Sequence, residues 1–458
     1  MSIELEKIVS FAKRRGFVFQ SSEIYGGLSS CYDYGPLGVE LKNNIKKAWW
    51  KAMIQNRNDV VGLDTAILTP EIVWEASGHL QSFHDPLVEC QKCHHRFRSD
   101  HLLEAKQAEP GYIKEEPLDT KDIKCPDCGG GLTEPQNFNL LMKTELGVVE
   151  GKKDDAYLRG ETCQGIYLNF LNIIDTTRKK IPFGIAQVGK AFRNEITTKN
   201  FIFRTREFEQ MEQQYFVNPS DSEKYFDYWR DQRFKWYLNL GIKPENIRWR
   251  QHAEDERAHY ALDAWDIEYN FPWSGWKEMA GVHNRGDWDL TRHGEYSKKD
   301  LSYKDQQTGD KFVPYVIETS DGVDRATLMF LVDAYDEVET RSGEDGGKHK
   351  TEVVLRLHKS LAPIKIAILP LSKKEPLKEL SLEIQKSLWG DYMTQYDETG
   401  SIGKRYRRQD EIGTPYCLTV DFDSLEDKKV TVRDRDTMEQ ERVDIADLQN
   451  YFKEKFNS

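Results

Sequence analysis

The chain has 458 residues, with 65 Lys and Arg against 77 Asp and Glu and a formal net charge of −12. That length allows about three domains, and the acidic balance excludes indiscriminate nucleic-acid binding through bulk charge while leaving a local basic surface open. Neither a secretory leader nor a membrane-length apolar run is visible, so a soluble, cytoplasmic protein is expected.

The opening MSIELEKIVSFAKRRG is charged and amphipathic and predicts a first helix. A second is predicted over 38–55, with Leu41, Ile45, Ala48, Trp49 and Ala52 on one face. Two cysteine knuckles follow, Cys90-Gln-Lys-Cys93 and Cys125-Pro-Asp-Cys128. Four thiolates in this paired spacing make a closed, tetrahedral zinc site. An exposed redox pair is the alternative, but two such pairs in one segment argue against it. Protein would fill every metal position, so the zinc is structural and not catalytic. His94 and His95 stand nearby as solvated reserves. The polar span 98–124, with a turn at Pro110-Gly111, buries few apolar residues and would lean on the metal for its fold. Cys31, Cys163 and Cys417 have no partners in sequence and read as free thiols in a reducing compartment.

Residues 192–210 read FRNEITTKNFIFRTREFEQ. Arg193 and Glu195 sit on one apolar run, Arg204 and Arg206 on the next, and Thr197–Asn200 between them, which predicts two antiparallel strands and a short loop. Guanidinium forks match phosphate oxygens in pairs, and Phe208 could cover a base. A plain hairpin with a solvated charged face would look similar. Gly322-Val-Asp-Arg325, leading into the apolar helical run 326–335, shifts the balance. Two separate arginine sites and a stacking aromatic suggest ATP held bent, its α-phosphate open to in-line attack.

Strand-like runs at 181–216 and 265–271 enclose a charged helical stretch, 221–240. Residues 301–319 predict a hairpin turning at 306–310. These pieces suit an α+β fold with a mainly antiparallel sheet flanked by helices. The Gly-rich segment 340–350 reads as an exposed loop. A buried strand at 363–371 then opens a small α/β domain, with a helix through Leu377, Leu380, Ile384 and Leu388, strands at 416–422 and 429–433, and a last helix at 445–456. Within it Lys404, Arg405, Arg407 and Arg408 surround Tyr406. Such a run is as often a solvated face as a site for an unstacked RNA loop.

The segments around Phe192–Glu212 and Gly322–Arg325 resemble motifs 2 and 3 of the class II aminoacyl-tRNA synthetases, and Gly62–Pro70 resembles motif 1. Ser320 or Asp321 stands where motif 3 normally has its first glycine. Within class II the chain is similar to the homodimeric glycyl-tRNA synthetases, through Arg15–Trp50, Trp74–His79, Leu158–Tyr167 and Ser401–Cys417. The resemblance implies an ATP-dependent ligase acting on glycine and tRNA, with Mg2+ and structural zinc. It also implies a core at 1–88 and 132–355 and an anticodon-binding domain at 361–458; it does not extend over about Cys90–Gly131, where the cysteine knuckles predict a zinc-ribbon-like insertion at 89–131 whose expected place is near the tRNA acceptor stem. The basic cluster would then face the anticodon.

By resemblance, Arg193 binds the α-phosphate, Arg204 and Arg325 hold the γ-phosphate, and Phe208 and Arg325 sandwich adenine. Glu195 faces the adenine amino group and Glu278 holds Mg2+. Asn194, Phe203, Thr205, Arg206, Glu207, Met279, Gly322, Val323 and Asp324 complete the ATP site. Glu161, Glu212 and Glu318 surround the glycine ammonium, Ser320 forms the pocket wall, and Arg285 faces the glycine carboxylate. Glu209, Gln210, Met211 and Arg98 are further glycine-site positions. Two rivals stay open: a class II ligase for another small amino acid, and a catalytically dead accessory subunit that binds nucleic acid.

Overall fold

The computed structural model describes residues 4–107, 119–147, 154–195, 200–258, 260–339 and 351–457. The Pro110-Gly111 turn, most of the 197–200 loop and the 340–350 loop lie outside them.

A seven-stranded sheet forms the centre. In chain order its strands are β1 (Val60–Gly62), β2 (Phe183–Phe192), β3 (Glu207–Val217), β4 (Ile247–Gln251), β5 (Asp263–Phe271), β6 (Gly275–Gly286) and β7 (Tyr315–Gly322). The spatial order is β4-β5-β6-β7-β3-β2-β1, antiparallel throughout except where β1 joins β2. The expected sheet of antiparallel strands flanked by helices is therefore present. Its details differ from the sequence reading in one important place. Pairing of β2 with β3 stops at Phe192↔Glu207, so Arg193, Glu195, Arg204 and Arg206 occupy the connection and not the strands. Each is thereby released from the two-fold alternation of a strand and can be aimed separately.

Three helices cover one face: α1 (Pro36–Trp50), α2 (Ser222–Asn239) and α3 (Val323–Ala334). Helix α1 begins with Pro at its first turn, where the missing N–H costs nothing. Gly38 is required there, since a Cβ would fall 1.8 Å from the Phe17 carbonyl oxygen. Helix α3 is buried at Val323, Asp324 and everything from Ala326 to Ala334, as expected of a helix enclosed on all sides. It follows β7 without a loop, with Gly322 as its N-cap residue.

Asp321 pins these layers together. Its carboxylate accepts two bonds of 2.7 Å from Arg233 on α2, one of 2.5 Å from Tyr237 and one of 3.3 Å from Trp49 on α1. Both charged side chains are essentially inaccessible, at 1% and 0%. Strand alternation sends Asp321 to the helical face and Ser320 to the other.

The predicted hairpin at 301–319 is shorter than expected. Tyr303–Lys304 pairs with Lys311–Phe312, and the rest of that segment becomes β7. After residue 363 a five-stranded sheet forms, in the order Thr394–Tyr396, Ile366–Pro370, Tyr416–Val420, Lys429–Asp434, Gln440–Asp444. It has its own core around Ile366, Leu377, Leu418, Val432 and Phe452. Asn44 on α1 donates to the Leu361 and Ala362 carbonyls at 3.2 and 3.0 Å, tying the segment before this sheet to α1.

Removing one member of a buried ion pair strands the other charge. Asp321→Ala is expected to cost about 3–5 kcal/mol in urea unfolding. Asp321→Leu combined with Arg233→Met should recover most of the loss, because neither charge then remains buried.

Candidate active site

A cleft of about 190 Å3 opens on the sheet face opposite α2, lined from β3, β6, β7, the 193–206 connection and the start of α3. Alternation along β3 decides which predicted residues reach it. Phe208, Gln210 and Glu212 line the cleft. Glu209 turns the other way and pairs with Lys42 and Lys46 at 2.9 and 3.2 Å, while Met211 is wholly buried in the core. The contiguous stretch 207–212 expected from the sequence is therefore split between two faces. Glu207 pairs instead with Lys190. Val323 packs in the core, and Asn194 is held through its backbone N–H to the Leu140 carbonyl.

The more open half of the cleft is arginine-rich. Arg193 donates from Nε to the Gly160 carbonyl at 3.0 Å and lies between the rings of Phe83 and Phe208, 5.1 and 5.3 Å from their centroids. Arg204 faces Glu195 at 3.8 Å. Arg206 braces the connection from behind, donating to the Glu195 carbonyl at 2.9 Å. Arg325 stacks on Phe203 at 4.6 Å and rests on Glu278, 3.1 Å from its carboxylate. Asp324 is already satisfied by Tyr34, Lys42 and the Glu209 N–H, so it shapes the site and has little capacity left for a ligand. Thr205, Met279, Ser320 and Gly322 complete the lining expected from sequence.

The buried half gathers three carboxylates. Glu161 is 3.2 Å from His79 and accepts from Gln164 and Cys163 at 2.9 Å each. Glu318 takes Arg285 at 3.0 Å, Gln214 at 2.8 Å and His283 at 3.1 Å. Glu212 accepts from Thr162 and, at 3.4 Å, from Gln214. Burial raises all three carboxyl pKa values, but two are pulled back. His79 and Arg285 hold Glu161 well below the ordinary range, and Arg285 with His283 brings Glu318 down to about 2. Glu212 makes no direct ion pair among the described residues, and Arg285 acts on it only at a distance. Burial, then the charges of Glu318 and Glu161, push it well above the usual value.

Arg285 lines the cleft, and most of its donors are engaged. Asp289 takes its Nε and Nη2 at 2.8 and 3.0 Å, Glu318 takes Nη1, and Tyr260 covers it at 3.9 Å. It balances the carboxylates from within the wall. Arg98 is engaged by Asp85 and Asp100 at 2.8 and 2.5 Å and does not line the cleft. The sequence reading missed Tyr260, His283 and Gly281, all of which line the site. Gly281 and His283 reach the site only because β6 pairs with β7, and Tyr260 lies in a segment with no motif, so none of the three carries a local signal.

The basic cluster at 404–408 also needs correction. Arg405 is 3% exposed and donates to the Pro370 and Asp397 carbonyls, so it braces strand ends and cannot meet an anticodon. Arg407 pairs with Glu352 and Arg408 with Asp397. Tyr406 packs against Arg433 and Thr419. Lys404 alone of the four basic residues is exposed.

The four knuckle cysteines do converge. Their sulfurs all lie within 4.8 Å of one another, with Cys90–Cys128 at 3.5 Å and Cys93–Cys125 at 3.7 Å. Tetrahedral zinc with Zn–S of about 2.3 Å requires sulfurs about 3.8 Å apart, so the set fits that ion. Gly130 is needed in the second knuckle, because a Cβ would lie 2.9 Å from the Cys90 sulfur. His94 and His95 bond Glu89 and Asp127 instead.

Comparison with known proteins follows this geometry. The tRNA synthetase class II core domain model (G, H, P, S and T) matches residues 144–335, and the anticodon binding domain model matches 365–455. A glycine–tRNA ligase from Treponema denticola is 55% identical over 447 residues, covering 97% of this chain and 96% of its own. The chain belongs to the glycine–tRNA ligase family. Family members from Caldanaerobacter subterraneus and Thermobifida fusca are 52% and 51% identical, each over at least 98% of both chains. Among solved structures, the prolyl-tRNA synthetase of Cryptosporidium parvum superposes with a TM-score of 0.64 at 15% identity, covering 99% of this chain and 77% of its own. That likeness concerns the fold.

Two outcomes are expected. Cys125→Ser should lower both bound zinc, measured by atomic absorption, and thermal stability; unchanged zinc stoichiometry would refute the site. Glu212→Gln should raise the unfolding midpoint at pH 7. A carboxyl with a raised folded pKa stabilises most below its unfolded value and loses that contribution as pH rises, so the gain from Gln should vanish toward pH 4.

Proposed function

We infer that this enzyme activates glycine with ATP and transfers it to the 3′ end of tRNA(Gly). In the first step a glycine carboxylate oxygen attacks the α-phosphorus, and the bond to the β-phosphate breaks to release pyrophosphate. In the second, the terminal ribose hydroxyl of tRNA attacks the adenylate carbonyl and AMP leaves. A carboxylate is already ionised at neutral pH, so the first step needs no general base and depends on positioning and charge stabilisation.

The observation that carries this reading is the pairing of an arginine-rich half with a buried tricarboxylate half in one cleft. Arg193, Arg204 and Arg325 suit the triphosphate, with Phe208 beneath the base. Glu278 is the exposed carboxylate that would hold Mg2+, which neutralises phosphate charge when bound; until ATP arrives, Arg325 shields it. Glu161, Glu212 and Glu318 suit an ammonium. Its arrival supplies the direct ion pair that Glu212 lacks among the described residues.

Glycine differs from other substrates only by an absent side chain. Capturing a methylene yields about 1–3 kcal/mol, whereas forcing one into a packed wall is penalised by strain. Ser320 is placed for that exclusion, between Glu212 and Gly281 in the sheet register. The smallest substrate can thus be selected sterically.

tRNA recognition is assigned to the C-terminal domain, with Lys404 and Arg408 as the more accessible basic groups, and to the zinc insertion near the acceptor stem. Exposed Ile67, Leu68 and Ile72 beside motif 1 support assembly as a homodimer, acting in the cytoplasm.

The test is ATP–pyrophosphate exchange with each of the twenty amino acids and no tRNA. Exchange with glycine alone is expected; exchange with another amino acid would overturn the specificity, and none at all would favour a binding-only protein. Arg325→Ala should lower exchange by at least about a hundredfold with the fold intact. Ser320→Val should raise the glycine KM far more than the ATP KM.

A further inference from the structure

Glu318 is held at both oxygens. Oε2 receives Gln214 and Arg285, and Oε1 receives His283 Nδ1 at 3.1 Å. His283 also faces a charge on the next strand. Its buried Nε2 has no hydrogen-bond partner among the described residues but lies 3.8 Å from Asp266 Oδ1, within ion-pair range, and Asp266 Oδ2 is 2.6 Å from His252 Nε2. The two imidazoles stand 6.0 Å apart. Carboxylates and imidazoles thus alternate across β7, β6 and β5, from the tricarboxylate pocket to His252, with His283 and Asp266 joined by charge and not by a hydrogen bond.

The ring has a seat made for it. A Cβ on Gly281 would fall 2.8 Å from His283 Nε2 and 2.9 Å from Cε1, so any larger residue at 281 would displace the imidazole. The charged groups around it are Glu318 and Asp266 in direct reach, His252 behind Asp266, and Arg285 on its own strand sharing Glu318. Burial opposes a cationic imidazole here, yet the two carboxylates raise its pKa to about 9. A carboxylate fixed at only one oxygen can still pivot about that contact, and pivoting degrades a site that must aim lone pairs at a small cation.

We propose that His283 is a positioning residue for glycine selection: seated by Gly281 and held in place by the charge of Asp266, it locks Glu318 in the orientation that receives the substrate ammonium. This rests on the glycine reading of the pocket. His283 touches neither reacting atom, so its loss belongs in glycine binding and not in the chemical step.

The test is glycine- and ATP-dependent pyrophosphate exchange by wild type, His283→Leu, His283→Gln and Asp266→Asn. His283→Leu should raise the glycine KM by about ten- to a hundredfold, the scale of a lost hydrogen bond to a charged group. Its ATP KM and its kcat at saturating glycine should stay within about twofold of wild type. His283→Gln, whose amide can still donate to Glu318, should recover most of the loss. Asp266→Asn, isosteric and outside the cleft lining, should move the glycine KM in the same direction and covers the case in which the Leu variant fails to fold. An unchanged glycine KM in these variants would overturn the proposal. So would a parallel fall in kcat, both KM values and melting temperature that Gln does not rescue, since that marks a general structural role. A wild-type enzyme with no glycine-dependent exchange would overturn the glycine reading itself, and the proposal with it.

Discussion

The buried carboxylate of Asp321 organises this molecule. A carboxylate out of water needs its oxygens answered, and here Arg233 Nη2, Tyr237 and Trp49 answer from two helices at once, while Arg233 Nε and Nη1 stay buried without hydrogen-bond partners among the described residues. That requirement fixes how α1 and α2 sit on β7. Because β7 alternates, fixing Asp321 inward also fixes Ser320 and Glu318 toward the cleft. The strand passes directly into α3, so the same anchor determines where Arg325 begins its helix. One ion pair thereby helps set how the carboxylate-rich half of the cleft sits against the arginine-rich half.

The site itself is built from charges that are partly balanced before any ligand arrives. Arg325 rests on Glu278, Arg204 faces Glu195, and Arg285 sits among Asp289 and Glu318. These pairings let like-charged groups crowd together without unfolding the cleft, and they hold the guanidinium groups near their working positions. The exception is Glu212, which makes no direct ion pair among the described residues and is pushed toward its neutral form by burial and by Glu318 and Glu161.

Much of this was legible in the chain. The Arg-x-Glu and Gly-Val-Asp-Arg signals located the arginine-rich half of the cleft, since their chemistry depends on residue type at short spacing. The two Cys-x-x-Cys knuckles located the four cysteines that converge, for the same reason. Less local features failed. The stretch 207–212 looked like a single run of site residues until strand alternation sent Glu209 and Met211 to the far face. The basic run at 404–408 looked like an RNA surface, but helix Ile402–Ile412 turns Arg405 inward to cap strand-end carbonyls.

What the sequence by itself determined, then, is the chemistry available: which groups can hold phosphate, ammonium or zinc, and which segments become strands and helices. Those properties follow from residue identity and from contacts within a few positions along the chain. Only the tertiary structure decided which groups meet. His283, Tyr260 and Gly281 join the site, Arg285 is committed to the wall, and Arg98 is excluded from the lining. Those outcomes depend on sheet register and on ion pairs between residues far apart in sequence, and such contacts leave no local pattern from which they could be read.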